Sequence, residues 1–380
     1  MHEGPVVVFS GGGTGGHLYP ALAIADALRE LRPDVRALFV GSTRGVEARV
    51  LPARGESHHL LPIVGMERGR PLQSWRAVPA LVVSLVRVAR LFARVRPEVV
   101  VVTGGYAGAP AGIVAGLTGV ALVLQEQNSV PGVVTRGLTR WARSVHVAFP
   151  EAISRLPHAQ ERVRVTGNPV RPPSERGRAE ARAAFDVPAD AVVVLVVGGS
   201  QGALGLNTDL TEAVTAVQRG ELARPERLHL LWATGPAHHA GIAGALERAG
   251  SPPWVRALPY IEDMPAALAA ADVALCRAGA MFTAELLNQG LPAILVPLPT
   301  AAADHQSANA RALELAGAAV HVPQAELTPA RLWRELSGLL ADPAALGGMR
   351  RAALARARPD AAKEIAADIE ALLPPPERRP

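Results

Sequence analysis

The stretch richest in chemistry is Ser10–Pro20, S-G-G-G-T-G-G-H-L-Y-P, which directly follows Val6-Val7-Val8-Phe9. Five glycines fall between Gly11 and Gly16, and a histidine comes next. Glycine admits positive φ and lets a backbone approach a phosphate with no Cβ in the way. A helix N-terminus at such a place offers unpaired N–H groups and partial positive charge to an anion. His17 adds an imidazole, a group that titrates near neutral pH and can take a proton from a hydroxyl; alternatively it closes the turn before a helix opened by Pro20. Two more loops have this character: G-G-S-Q-G after Val197, and R-A-G-A after D-V-A-L-C. One glycine loop is equally a device for tight helix–strand packing. Three at predicted strand ends point to a pyrophosphate-bearing ligand.

Several ligand classes drop out. The dinucleotide fingerprint G-x-G-x-x-G overlays Gly11, Gly13 and Gly16, but the acid it needs at the end of the next strand is missing from A-L-F-V-G-S-T-R. A Walker loop needs a lysine, and the only one is Lys363. With no D-x-D, no H-E-x-x-H and a single cysteine, Cys276, neither a metal site nor an intramolecular disulfide is indicated. One cysteine also favours a reducing, cytoplasmic setting.

These loops must be carried by strands and crossover helices. Short β-branched runs (V-V-V-F, A-L-F-V, V-V-V-V-T, A-L-V-L, V-H-V-A-F) alternate with Ala/Leu/Arg helical patterns, which predicts parallel sheets buried on both faces. The uncharged stretch between Glu98 and Glu126 is long enough to span a bilayer. Its glycines and proline divide it instead into strand, small-residue helix and strand, with G-I-V-A-G read as close helix-on-sheet packing. The N-terminus lacks the basic segment and apolar core of a secretory signal. R-V-T-G-N-P-V-R-P-P-S-E-R-G-R, residues 164–178, reads as a linker, after which A-V-V-V-L-V-V-G-G-S-Q-G-A starts a second strand–glycine–helix unit. Two doubly wound Rossmann-like domains in 380 residues are the expected fold.

Specific words narrow this further. G-G-G-T-G-G-H-L-Y-P, G-G-Y-A-G-A-P, Q-E-Q-N, T-G-N-P-V-R, G-G-S-Q-G-A, C-R-A-G-A-M-F-T-A-E-L and D-H-Q-S-A-N-A stand in an order that resembles the MurG family of GT-B glycosyltransferases, from about Val6 to Ala319. The resemblance implies two α/β domains facing a cleft and an inverting, metal-independent transfer of N-acetylglucosamine. The donor would be UDP-GlcNAc and the acceptor the 4-hydroxyl of undecaprenyl-pyrophosphoryl-MurNAc-pentapeptide, in peptidoglycan synthesis at the cytoplasmic face of the bacterial membrane. It assigns residues 1–165 to the acceptor and membrane, 166–358 to UDP-GlcNAc, 359–373 to a helix packing back on the first domain, and 374–380 to a disordered tail.

By the same resemblance, His17 is the candidate base and Thr14, Gly15 and Gly16 meet the donor and the developing diphosphate. Ser200 contacts UDP, with an ordinary helix N-cap as the bland reading. Ala280, Met281, Phe282, Thr283, Ala284 and Glu285 form the start of a helix at the nucleotide; Glu285 suits ribose hydroxyls, since a carboxylate on diphosphate would be repelled. Gln306 and Asn309 face sugar hydroxyls, Asn128 and Arg171 touch the donor, and Ile261 lies beside uracil. Tyr106 and Glu126 stand in loops that face the acceptor. The chain departs from the family pattern at Gly108, Gln125, Ala278 and Phe282, so bonds made by the family's side chains there are lost or replaced. A related GT-B transferase with another acceptor, or a nucleotide-sugar binder without turnover, also fits those departures.

Charge agrees with a membrane-borne acceptor. Residues 1–165 carry 19 arginines against 11 acids, whereas residues 166–380 carry 20 basic and 23 acidic residues. Arg87, Arg90 and Arg94 fall on one stripe of a predicted amphipathic helix, suited to an anionic membrane surface. Few aromatics and no nucleic-acid module argue against a nucleic-acid partner.

Overall fold

The computed structural model of the protein describes residues 4–63, 77–156 and 158–376. Residues 377–380 of the expected tail, and Trp75 and Arg76 ahead of the basic helix, lie outside them. The chain divides into two compact units, Met1–Val170 with Pro359–Pro380, and Arg171–Arg358.

The first unit is built on seven parallel strands in the order β3-β2-β1-β4-β5-β6-β7. They are β1 (Val6–Ser10), β2 (Arg36–Ser42), β3 (His58–Leu61), β4 (Val99–Val102), β5 (Ala121–Glu126), β6 (Ser144–Val147) and β7 (Val163–Val165). The continuous valine runs of β1 and β4 are buried on both faces, which is why they do not alternate with polar residues. Helices α1 (Gly15–Leu31), α2 (Glu47–Ala53), α3 (Ala77–Val95), α4 (Ala109–Thr118) and α5 (Val133–Leu138) cross between them. The sheet order reverses between β1 and β4, so the crevice for a ligand opens at the carboxyl ends of those two strands.

The uncharged stretch after Glu98 is therefore β4, α4 and β5, and among the described residues no helix is long and apolar enough to cross a membrane. The small residues of G-I-V-A-G do a different job from the expected contact with the sheet. A Cβ at Gly112 would stand 2.3 Å from Leu138 Cδ1, and one at Gly116 2.4 Å from Trp141 Cδ2. They accommodate the end of α5 and the turn after it.

The second unit has six parallel strands in the order β10-β9-β8-β11-β12-β13: β8 (Val192–Val197), β9 (Leu228–Ala233), β10 (Val255–Leu258), β11 (Val273–Cys276), β12 (Ala293–Leu295) and β13 (Ala319–His321). Its helices are α6 (Arg178–Ala184), α7 (Leu204–Gln218), α8 (Pro236–Arg248), α9 (Met264–Ala270), α10 (Ala280–Gln289), α11 (His305–Leu315), α12 (Pro329–Leu340) and α13 (Pro343–Arg356). Its switch point lies between β8 and β11, where the other two glycine loops begin.

The boundary falls at Val170 rather than at residue 165 because T-G-N-P-V is anchored to the first unit. Asn168 is buried; Gln125 Nε2 donates to its Oδ1 at 2.9 Å, and its own Nδ2 donates to Gln127 O at 3.1 Å. A last helix, α14 (Ala361–Glu370), returns to the first unit, burying Ile365, Ala366 and Ile369 in the core formed with α1. Asp368 fastens it: its carboxylate accepts from Ser144 Oγ at 2.5 Å, lies 3.1 Å from His146 Nε2, and pairs with Arg164. The His146 contact first, then Ser144 and Arg164, hold this carboxyl down to about 2 against the opposing effect of burial. A depressed carboxyl stabilises the fold above its unfolded value near 4 and loses that contribution as pH falls toward 2. Asp368→Asn is expected to cost on the order of 1–2 kcal/mol at pH 6. The gap between variant and parent in urea denaturation should close as the pH is lowered through that window.

Candidate active site

At the end of β1 the chain turns directly into a helix. Thr14, extended at φ −138°, accepts the first helical bonds from His17 N and Leu18 N, and no side chain caps this end. The helix thus starts at Gly15, five residues before Pro20, which lies inside it. Gly15, Gly16 and His17 belong to its first turn, and Gly15 and Gly16 present their N–H groups at the crevice, with Thr14 exposed beside them.

The glycines ahead of it turn out to have a neighbour that the sequence did not reveal. Glu47, fully buried at the start of α2, accepts from Gly13 N at 3.1 and 3.0 Å and from Ser42 N at 2.8 Å. A Cβ at Gly12, Gly41 or Gly45 would stand 2.2–2.5 Å from Glu47 atoms. Three glycines from two segments form a socket for one carboxylate, whose charge is met by backbone N–H groups. Gly11 makes room for Thr103 Oγ1, and Gly13, at φ +89°, for the Tyr106 ring. Much of the first glycine loop is therefore packing, and its helical end is what remains for an anion.

His17 is held from the far side of the crevice. Its Nδ1 lies 3.0 Å from Thr103 O and 3.0 Å from Gln127 Oε1, and Thr103 Oγ1 donates to His17 O at 2.7 Å. The ring lies against Gly104 and Gly105, both at positive φ, where a Cβ would come within 3.1 Å of Nδ1 and 2.9 Å of Cδ2 respectively. The glycine pair of G-G-Y-A-G-A-P thus makes space for this histidine. Gly108 is equally constrained, since a Cβ there would meet Val102 Cγ1 at 2.7 Å; the family's serine does not fit this backbone. Glu126 turns inward instead of facing an acceptor: it is 2% exposed, its Oε1 accepts from Asn128 N at 3.1 Å, and its Oε2 from Gly132 N at 2.9 Å. It shapes the loop that carries Asn128.

In the second unit Ser200 is exposed in the G-G-S-Q-G loop, and Ala203 rather than Ser200 is the N-cap of α7. The bland capping reading therefore falls. Helix α10 begins at Ala280 behind Gly279, again without a side-chain cap. Behind it lies a group that sequence reasoning passed over, Arg277, whose Nη1 donates to Val296 O at 2.9 Å and Pro297 O at 3.0 Å. Burial lowers its pKa from the ordinary arginine value, yet it remains a cation, one turn from an open helix N-terminus. A helix N-terminus with a cation three residues ahead of it in the chain favours an anion.

Glu285 is largely buried and receives Arg171 Nε at 3.1 Å. Burial raises its carboxyl above the ordinary value, against the pull of Arg171. Gln306 Oε1 accepts from Leu298 N at 3.0 Å, which leaves its NH2 to point elsewhere. Three further predicted residues act from the interior. Asn309 is buried and donates to Ala278 O at 3.3 Å, Thr283 is buried and donates to Ala280 O at 3.0 Å, and Ile261 is 2% exposed. The first two hold the backbone of the C-R-A-G-A turn, and the Ile261 side chain is part of the core. Met281, Phe282 and Ala284 are half-buried along α10, and Ala278 is fully buried before it. Among the described residues no group of three or more His, Cys, Asp or Glu side chains is placed to hold a metal ion.

Comparison with known proteins matches both units. Models of the glycosyltransferase family 28 N-terminal and C-terminal domains match residues 7–147 and 193–365. The chain is 43% identical over 372 residues, 97% of each chain, to a Salinibacter ruber protein named UDP-N-acetylglucosamine–N-acetylmuramyl-(pentapeptide) pyrophosphoryl-undecaprenol N-acetylglucosamine transferase. A Desulforudis audaxviator protein of the same name is 40% identical, covering 96% of this chain and 98% of its own. The crystal structure of MurG from Acinetobacter baumannii superposes with a TM-score of 0.77 at 28% identity, over 97% of this chain and 99% of that one. The chain belongs to the MurG family. As a MurG-family glycosyltransferase it has the two-sheet GT-B architecture. A Staphylococcus aureus MnaA structure with UDP shares that fold at a TM-score of 0.67 and 14% identity, over 97% and 96% of the two chains.

Proposed function

We propose that this chain transfers N-acetylglucosamine from UDP-GlcNAc to the 4-hydroxyl of the muramoyl sugar in undecaprenyl-pyrophosphoryl-MurNAc-pentapeptide, completing the lipid-linked precursor of peptidoglycan. The observation that carries this reading is the near full-length match to relatives named for that transferase. The acceptor oxygen attacks the anomeric carbon on the face opposite UDP. The C1–O bond to diphosphate breaks, its electron pair leaves with UDP, and the hydroxyl proton passes to His17. One displacement inverts the anomeric centre.

The second unit supplies the donor site. The uncapped start of α10, from Ala280 to Phe282, and the cation of Arg277 oppose the charge that grows on the leaving diphosphate. Ser200 adds its hydroxyl and loop N–H groups. Glu285 accepts from ribose hydroxyls, with Arg171 beside it, and Gln306 turns its NH2 to the sugar. Asn309 and Thr283 keep the C-R-A-G-A turn in shape, and the backbone at Ile261 lies beside uracil. In the first unit, Thr14, Gly15 and Gly16 meet the diphosphate at α1, while Tyr106 and Asn128 line the approach of the sugars. No step draws on a metal ion.

The lipid acceptor calls for attachment at the membrane surface, on the cytoplasmic side. Helix α3 buries Val88 and Phe92, while Val78, Val82, Val83 and Val86 are exposed, as are Arg87, Arg90 and Arg94. Exposed valines enter the headgroup boundary and the arginines pair with anionic lipid, at roughly 1 kcal/mol each. Changing all three arginines to glutamine should weaken binding to phosphatidylglycerol vesicles by about a hundredfold and leave UDP-GlcNAc affinity unchanged in calorimetry.

The direct test is transfer of radiolabelled GlcNAc from UDP-GlcNAc to a short-chain analogue of the lipid-linked muramoyl-pentapeptide with chelator present. Turnover supports donor, acceptor and metal independence together. Donor binding without transfer to this acceptor overturns the proposed reaction.

A further inference from the structure

We propose that Gln127 is the positioning residue that fixes His17 as its Nδ1–H tautomer, so that Nε2 is the atom that receives the acceptor proton. The inference rests on the reading of His17 as base and adds which nitrogen acts and what makes it so.

Nδ1 faces two oxygens, Thr103 O and Gln127 Oε1, each at 3.0 Å. Thr103 O is a carbonyl and can only accept, but it is shared with the Gln127 amide at 2.6 Å, so this contact favours a proton on Nδ1 without fixing it alone. The second depends on which end of the Gln127 amide is turned to the ring, and its surroundings decide that. The other end of the amide meets Thr103 O at 2.6 Å and the side-chain oxygen of Gln125. Oxygen in that position would face two acceptors with no hydrogen between them. Nitrogen there gives each acceptor a proton and leaves Oε1 for His17.

Gln125 is set in turn by Asn168. Its Nε2 donates to Asn168 Oδ1 at 2.9 Å, so its own oxygen faces Gln127, and Asn168 Nδ2 is spent on Gln127 O at 3.1 Å. All three amides are at most 2% exposed, and Thr103 is fully buried. Water therefore offers no substitute for a mismatched end, and the cost of an unpaired buried amide favours one orientation throughout. The circuit starts from strand β5, passes through the segment after β7, and ends on a ring carried by α1. Gln125 stands where the family pattern has histidine; here it is an interior link of that circuit.

With Nδ1–H directed at the two oxygens, Nε2 carries the lone pair and has no hydrogen-bond partner among the described residues. A free histidine side chain prefers the opposite tautomer, with its proton on Nε2, which cannot accept one. The tautomer of an imidazole is set by the bond made at its other nitrogen, and here that bond is made to a buried carbonyl and a buried amide.

The decisive measurement is a long-range proton–nitrogen correlation spectrum of the full chain with ¹⁵N-histidine, at a pH where the rings are neutral. His17 is identified among the 11 histidines by its absence in His17→Ala. The wild-type chain should show the Nδ1–H pattern, and Gln127→Met should shift His17 toward Nε2–H. In that variant kcat should fall roughly ten- to a hundredfold, part of what a general base contributes, with little change in KM for UDP-GlcNAc. Gln125→Met, one link further away, should give a smaller shift in the same direction. An Nε2–H pattern in the wild type overturns the proposal, as does Gln127→Met with both tautomer and kcat unchanged. Because the wild-type spectrum stands alone, a variant that folds poorly does not remove the test. Full turnover by His17→Ala would overturn the base reading itself, separately from the tautomer assignment.

Discussion

His17→Ala should lower kcat for transfer by about 10²–10⁴-fold, the range a positioned general base contributes, while the affinity for UDP-GlcNAc changes little. Two observations combine in this expectation. The ring stands at the carboxyl ends of β1 and β4, on Thr103 O and over the Gly104–Gly105 pair, where an open parallel sheet binds its ligand. Most residues assigned to the nucleotide lie in the other unit, in the loop after β8 and on α10 and α11, and the imidazole is not among the groups assigned to it, so removing the ring leaves them intact. A loss in kcat therefore reports the chemical step, corresponding to about 3–5 kcal/mol of barrier. A rise in KM with unchanged kcat would reassign His17 to substrate binding. Single-turnover transfer alongside donor calorimetry separates the two outcomes, and a thermal melt checks that loss of the ring has not loosened the glycine pair beneath it.

Sequence patterns made the frame legible because they follow from burial. Strands covered on both faces must be continuously apolar, so β1, β4, β5 and β8 could be read directly, and glycines mark the carboxyl ends of β1, β4 and β8. What the pattern could not supply was the identity of the neighbour that each glycine accommodates. The loop at Gly11–Gly16 suggested room for diphosphate, yet Gly12 faces Glu47, Gly11 faces Thr103 and Gly13 faces Tyr106. Those partners are 30 or more residues away, and no local periodicity encodes them. The start of α1 was misplaced for a related reason: Pro20 is a familiar opening residue, but Thr14 O already accepts from His17 N and Leu18 N, so the helix begins without it.

The interior roles of Glu126, Asn309 and Thr283 escaped because a polar residue in a family motif reads as a ligand contact. Burial and backbone carbonyls or N–H groups within reach identify these three as supports. One signal was present and unused. In Q-E-Q, Gln125 and Gln127 are two apart at the end of a strand, so they share a face while Glu126 takes the other. That alternation already separates the His17 circuit from the Asn128 loop. Arg277 offered less: a basic residue after a buried strand gives no hint that its guanidinium folds back onto the carbonyls of Val296 and Pro297.

Glu47→Ala should be the most damaging single change in the first unit outside its hydrophobic core. Truncation leaves the N–H groups of Gly13 and Ser42 without their acceptor, at about 1–3 kcal/mol for the buried Ser42 N–H and less for the half-buried Gly13 N–H. It also empties a socket lined by Gly12, Gly41 and Gly45, none of which has a side chain to fill it. The expected loss is on the order of 3–5 kcal/mol in chemical denaturation. Glu47→Gln separates charge from shape. Oε1 takes both Ser42 N and Gly13 N, whereas Oε2 shares only the Gly13 bond, so a glutamine can keep its oxygen in the first position and place NH2 in the second. It should cost only about 1–2 kcal/mol. Because the loop it supports leads directly into Gly15, Gly16 and His17, Glu47→Ala should also lower kcat in the population that remains folded. A Glu47→Ala chain as stable as its parent would mean that the socket is not what fixes the loop. A stable but slow variant would mean that Glu47 contributes mainly by aiming the first turn of α1.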